Sequence, residues 1–455
     1  MINKTISQIG QFMEQEIVGN YDKHTMVQGV EIDSRKIRKG NLYIPLIGQR
    51  VDGHSFVEQA AKDGAVLSFW QKDHTPYPTC LPIILVDDTQ KALARLAHAY
   101  LMSLDVKVIA ITGSNGKTSC KDMMYSIFSQ EKKTQKTIGN RNNEIGMPLT
   151  ILDLDEDVEY AILEMGMENK GEIAELCAIA SPDIAVITTI GSAHMENLGS
   201  KKQIADAKCE IYDGLKPNGL FIYNKDCPEI DEVLSERKPD PHKKIESFGK
   251  EAQARILSDI AYESDSIRFM TSIMKDEIVL HALGDHQAMN ALPCIMAAKS
   301  EGLSDQAVLK GLSCLQMTKM RTQLLNVKKA KILDDSYKSN PESAKAAIDT
   351  LMELPGEKHI AVLADMLDLG EQEQQLHAEI GKYAKEKGVD LLFAYGPLSK
   401  HTADAFGGNW FATKEEIEDR LQPLLDEDVV ICIKGSRAMG MDTIVAQLNG
   451  GSKNV

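Results

Sequence analysis

The sequence predicts an α/β protein in three successive units, the middle one a parallel sheet that carries a phosphate-binding loop. Three observations support this. An apolar, β-branched run at 106–112 breaks into Gly113-Ser114-Asn115-Gly116-Lys117-Thr118 and then into a helix-like segment at 119–130. From about residue 104 onward, strand-length apolar runs alternate with helix-length segments, the pattern of a parallel sheet with crossover helices. The 455 residues are enough for about three domains of roughly 150 residues each.

The loop is the chemically informative stretch. Backbone N–H groups of such a turn, with the positive end of the following helix, face phosphate oxygens. Lys117 is placed to reach the terminal phosphates and Thr118 to offer a hydroxyl to Mg²⁺. Gly113, Ser114, Asn115, Gly116 and Ser119 complete the candidate cradle. The generic pattern also wants a glycine at 111, where this chain has Ile111. A plain Gly-rich turn is the competing reading, and the strand before and helix after favour phosphate.

Bulk composition removes several classes. With 43% apolar and 26% charged residues the chain reads as an ordinary globular protein. A net charge of −16 argues against a nucleic-acid surface, which needs clustered Lys and Arg. The eight cysteines (80, 120, 177, 209, 227, 294, 314 and 432) show no C-x₂₋₄-C spacing. They read as reduced core thiols rather than a zinc site. No apolar leader-like stretch opens the chain and no run approaches a membrane span, so a cytoplasmic protein is expected.

The first unit is expected at 1–103. Strands are expected at 27–32, 41–46, 65–70 and 83–86, and helices at 55–63, capped by Ser55, and 90–104. Asp33-Ser34-Arg35 is a polar cluster at a strand end, either a capped turn or a seat for an anionic or sugar-like group. The second unit is expected at 104–317. Its strand at 159–163 ends in Glu164 and its strand at 184–190 ends near His194. Ligands of open α/β sheets sit beyond the carboxyl ends of strands, so this carboxylate and imidazole, with Thr118 and phosphate oxygens, could form a Mg²⁺ shell. A loop histidine is the alternative for His194. A helix at 203–215 carries Lys208, a strand follows at 219–223, and a helix opening near Gly284 runs to about 299. His286 and Asn290 share one face of it and could meet a purine edge.

The third unit is expected at 318–455, doubly wound, with strands at 331–333, 359–363, 391–395 and 429–433. It lacks G-x-G-x-x-G, so a second dinucleotide site is not indicated. Asp334-Asp335-Ser336-Tyr337, Asp365 and Lys434-Gly435-Ser436-Arg437 lie at three strand ends and suggest a face that closes over the nucleotide. The tail at 449–452 is expected to be flexible.

Taken together, these motifs resemble the Mur ligase family over essentially the whole chain. The resemblance is carried by Asp33-Ser34-Arg35 with Asp52-Gly53-His54, by Thr112-Gly113-Ser114-Asn115-Gly116-Lys117-Thr118, and by Asn142-Asn143-Glu144-Ile145-Gly146-Met147-Pro148. It continues through Glu164-Met165-Gly166, His194-Met195-Glu196, Ala207-Lys208-Cys209-Glu210-Ile211, Asp334-Asp335-Ser336-Tyr337, Asp365-Met366-Leu367-Asp368 with His377, and Lys434-Gly435-Ser436-Arg437. It implies a UDP-substrate domain, a central ATPase domain and a C-terminal Rossmann-like domain. It also implies the family's dipeptide-adding reaction: D-Ala-D-Ala joined to UDP-MurNAc-tripeptide through an acyl phosphate, with ATP and Mg²⁺.

By the same resemblance, Thr118 and Glu164 would hold a first Mg²⁺, and His194 a second together with a carbamylated Lys208. Asn290 would contact adenine, Arg321 and Asp335 would reach ATP, and Lys434 and Arg437 would address the substrate carboxylate or acyl phosphate. Ser34, Arg35, Asn142 and Asn143 would touch the UDP substrate. The chain departs from the family in four places: Lys338 for the usual Asn, Gln287 for Asn, Ala364 for Gly, and Met320 for the Gly before the nucleotide Arg. A sister ligase adding one amino acid, the more distant folylpolyglutamate synthases, and a nucleotide-gated binding module without ligation are the alternatives. A monomer is expected, open without ligand and closed around ATP and the UDP substrate.

Overall fold

A computed structural model describes residues 1–450; positions 451 and 452 of the tail lie outside them. Three large, mainly parallel sheets follow one another along the chain. The middle sheet has six strands in the order Lys244–Phe248, Leu220–Asn224, Ile184–Ile187, Lys107–Thr112, Tyr160–Glu164 and Thr134–Lys136, all parallel. Its central strands are covered on both faces, and so they read as continuous apolar runs rather than as alternating ones. Ile109 and Ile111 face helices Lys117–Phe128 and Asp285–Ser300. Val108 and Ala110 face the other side, in a core shared with Leu93, Leu96 and Tyr100 of the first unit's helix Thr89–Met102. The hydroxyl of Tyr100 donates to the Leu154 carbonyl at 2.7 Å across that junction.

The third sheet runs Gln323–Val327, Ala330–Asp335, Val429–Lys434, Lys358–Ala364, Leu391–Tyr395 and Asn409–Phe411, parallel except for its first, antiparallel edge strand. Its register sets Asp335 directly beside Lys434 at the strands' carboxyl ends. The first unit holds a five-stranded sheet, with Asn3–Thr5 and Met26–Gln28 as a separate pair. No helix among the described residues is long and apolar enough to cross a membrane.

The elements differ from expectation where local geometry overrides periodicity. The strand expected at 27–32 is split at Gly29, φ +84, into Met26–Gln28 and Val30–Glu31, which join different sheets. The segment at 55–63 opens as a 3₁₀ turn, Gly53–Phe56. Its cap is Asp52, whose carboxylate accepts from the His54 N–H, not Ser55. The helix expected at 203–215 breaks after Lys208, at Cys209. Cys80 and Cys314 are exposed; the other six cysteines are buried thiols.

Helix Glu373–Lys387 packs closely on Ser399–Phe406 because Gly381 has no side chain. A Cβ there would collide with the Thr402 carbonyl and lie 3.0 Å from Ala405 Cβ. Gly381→Ala is therefore expected to destabilise the protein by about 1–3 kcal/mol, despite alanine's better helix propensity of about 1 kcal/mol. Calorimetry should show a lower Tm; an unchanged or higher one would mean the helix pair relaxes freely.

Candidate active site

The loop turns out of the central strand between two side chains. Gly113 has φ +149 and Gly116 φ +84. A Cβ at 113 would strike the Thr188 side chain, and one at 116 would strike Asn290. The hydroxyl of Thr188 donates to the Asn115 carbonyl at 2.5 Å, and the Asn115 N–H donates to Thr189 Oγ1 at 3.1 Å. Helix Lys117–Phe128 starts at Gly116, so its unpaired first-turn N–H groups line the loop. Lys117 Nζ folds back to donate to the Gly113 carbonyl at 2.6 Å. Burial, reinforced by the Lys338 charge, lowers its pKa to about 8, with Glu164 pulling the other way.

Glu164 closes strand Tyr160–Glu164 and is buried. One oxygen accepts from Thr118 Oγ1 at 2.9 Å and the other from Asn142 Nδ2 at 2.9 Å. Lys208 ends its helix 2% exposed, with no hydrogen-bond or ion-pair partner among the described residues. Burial first, then the Lys117 and Lys338 charges, push its pKa well below the ordinary lysine value. His194 sits in the left-handed region at φ +64, where a non-glycine residue is strained. Its Nε2 faces Lys338 Nζ at 3.4 Å. Burial and the neighbouring lysines, Lys338 foremost, lower its pKa to about 3, so the ring is neutral.

The third unit supplies the opposite wall. Lys434 Nζ pairs with Asp335 at 2.6 Å and donates to the Lys338 carbonyl at 2.8 Å. The Arg321 guanidinium stacks on Tyr337 at 4.2 Å and reaches Thr118 Oγ1 at 3.4 Å. Its Nε is buried without a partner among the described residues. The Asn340 and Asn115 amides exchange hydrogen bonds at 2.9 and 3.2 Å, and Glu342 accepts from the Ser192 N–H and hydroxyl. These contacts hold the third unit against the loop.

Two cavities result. One, of about 330 Å³, is lined by the loop residues 114–119, by Asn290 and by Arg321, Asp335, Lys338 and Lys434 across from them. The second, of about 700 Å³, is lined by Asn142, Asn143, Glu168 and His194 among others. Of the described residues, only Lys117 and Lys338 line both. His286 also joins the first cavity, as do Asn224 and Phe248 at strand ends and Asp226 in the turn that follows Asn224.

Some expected site residues lie apart. Ser34 and Arg35 line neither cavity; Arg35 is largely exposed, and its fork grips Asp33, holding that carboxyl well below the usual range. Asp52 accepts from both His54 and His74 at 2.7 Å. Arg437 pairs with Asp442 at 2.9 Å, outside both cavities. Asp365, grouped above with the nucleotide face, instead accepts from the Ser399 N–H at 2.7 Å and anchors its own unit.

Comparison with known proteins gives concordant matches. Residues 26–101 match the Mur ligase family catalytic domain, residues 111–298 the Mur ligase middle domain, and residues 320–437 the Mur ligase glutamate ligase domain. The chain is 38% identical to a UDP-N-acetylmuramoyl-tripeptide–D-alanyl-D-alanine ligase of Bacillus subtilis, over 98% of this chain and 99% of the relative. Its fold matches a crystal structure of MurF from Acinetobacter baumannii with TM-score 0.91 at 28% identity, covering 99% of each chain. It also matches MurF from Thermotoga maritima in complex with ADP, with TM-score 0.84 at 26% identity, over 93% of this chain and 98% of that one.

Proposed function

The chain belongs to the Mur ligase family, and from that premise we propose how its two cavities divide the work of an ATP-dependent ligase. It is an ATP-dependent ligase that adds D-alanyl-D-alanine to UDP-N-acetylmuramoyl-tripeptide in peptidoglycan precursor synthesis. Residues 1–103 serve the UDP end of the substrate, 104–317 hold ATP, and 318–455 bring the acceptor side. Catalysis takes place in the cytoplasm, where ATP and the nucleotide-linked precursor meet.

One observation carries the division of labour: the loop-lined cavity and the asparagine-lined cavity meet at Lys117. A carboxylate is a poor electrophile. Placed in the second cavity, the tripeptide's terminal carboxylate lies in reach of the γ-phosphorus held in the first. Attack forms an acyl phosphate and releases ADP. The dipeptide amine then attacks the acyl carbon, and phosphate leaves. Positioning and charge neutralisation supply most of such catalysis. Lys117 and the helix N-terminus hold the terminal phosphates, Asn290 meets the adenine, and Arg321, with its unpaired buried Nε, donates to the phosphate chain. Asp335 keeps Lys434 oriented toward the acyl phosphate. The loop's closed wall keeps water from that intermediate.

The donor set fits a divalent cation at one point. Thr118 Oγ1 and Glu164 Oε2 lie 2.9 Å apart, a buried hydroxyl and carboxylate of the hard-oxygen kind that Mg²⁺ takes beside phosphate oxygens and water. When bound there, Mg²⁺ supplies charge neutralisation on the transferring group.

Measuring ADP release with UDP-MurNAc-tripeptide checks this reading. Turnover is expected with D-Ala-D-Ala and not with single amino acids. Turnover with a single amino acid and none with the dipeptide would point to the sister ligase, and none with any acceptor to a binding module. The absence of an Asp-Asn-Pro-Arg tetrapeptide, by which the sister would grip its amino acid, favours the dipeptide.

A further inference from the structure

We propose that Lys338 is a resident cation for the transferring phosphoryl group, standing where a second divalent ion would sit against His194, so that this site works with one divalent ion. The inference rests on the ligase reading and specifies its charge arrangement.

Position is the first argument. Of the described residues, Lys117 and Lys338 alone line both cavities, so a phosphoryl group passing from nucleotide to carboxylate passes between two ammonium groups. Occupancy is the second. The nitrogen through which His194 would ligate a cation, Nε2, already faces Lys338 Nζ at 3.4 Å. An ammonium and a metal ion cannot share that lone pair, and the donor set at His194 therefore does not fit a second ion while Lys338 holds this place.

Anchoring is the third argument. The Lys338 backbone is held by its carbonyl, which accepts from Lys434 Nζ at 2.8 Å, and Lys434 is tied to Asp335 at 2.6 Å. The cation thus arrives with the third unit and is set by the same network that closes the nucleotide cavity.

The test counts ions as well as turnover. Mn²⁺ bound per chain in the presence of β,γ-methylene-ATP is read by electron paramagnetic resonance for the wild type, Lys338→Asn and Lys338→Arg. One ion is expected for the wild type and for Lys338→Arg, and two for Lys338→Asn. In the turnover assay Lys338→Asn is expected to need more Mg²⁺ and to lose about 10²-fold in kcat, with KM for the UDP substrate little changed and Lys338→Arg restoring most of the loss. Two ions in the wild type, or one ion and undiminished kcat in Lys338→Asn, overturns the proposal. Lys338→Met, which keeps the stem, replaces the Asn variant if that one fails to fold. The ion count uses nucleotide alone, so it stands even where the acceptor assay fails and the ligase reading with it.

Discussion

Lys117→Ala is expected to abolish ADP release while leaving binding of the UDP substrate to the first unit nearly intact. Charge developing on the phosphoryl group during transfer is met by few groups, and removing such a cation costs about 10³-fold or more in kcat. Lys117 has a second role that alanine also removes, since it stands at the junction of both cavities. Alanine removes the Lys117 hydrogen bond to the Gly113 carbonyl, but Thr188 and Thr189 still hold the loop through the Asn115 carbonyl and N–H. Calorimetric titration with the UDP substrate and a coupled ADP assay on the same preparation separate the two effects. Residual turnover above about a tenth of wild type would move the phosphate-holding role elsewhere.

The same residue sets a pH signature. With no phosphate beside it, Lys117 holds its proton only below about pH 8, against an ordinary value of 10.5. Bound phosphates favour the charged form and raise that pKa. Nucleotide binding between these two values therefore takes up a proton and weakens as pH rises. Lys117→Ala should flatten that slope. Folding runs in the opposite sense: the folded chain binds fewer protons at Lys117 than the unfolded chain over this window, so stability rises with pH there.

The phosphate loop was legible from residues because its constraints are local: a strand end, two glycines and a helix start within a dozen positions. Glu164 and His194 were legible because strand ends in parallel sheets gather at one edge. The Lys338–His194 contact was not, since it joins residues 144 positions apart on different units. The role of Asp365 was misread for a related reason. An aspartate at a strand end looks the same in sequence whether it meets a ligand or, as here, caps the Ser399 N–H of its own unit. Short strands were harder still. Leu42–Tyr43 and Val30–Glu31 are two residues each, and their pairing depends on neighbours far along the chain.

Lys208→Met is expected to raise the melting temperature and abolish ligation at once. A lysine 2% exposed, without partner and beside two other lysines, is a destabilising feature that methionine of similar shape would remove. A purely structural residue would not be built this way. Its lowered pKa favours the neutral amine, the form that adds to carbon dioxide to give a carbamate and a proton. A carbamate there would be an anion facing Lys117 and Lys338, the two groups whose charges help to lower the lysine's pKa. Because only the neutral amine reacts, the modification and the activity that depends on it should fade together as pH falls. Depleting carbon dioxide should lower ADP release in the wild type, bicarbonate should restore it, and short carboxylates such as formate should partly rescue Lys208→Ala. Lys208→Arg settles the charge question, because guanidinium stays cationic and cannot form a carbamate. Wild-type turnover in that variant would show that a cation suffices at 208, and the stability gain in Lys208→Met would then be the whole of the effect.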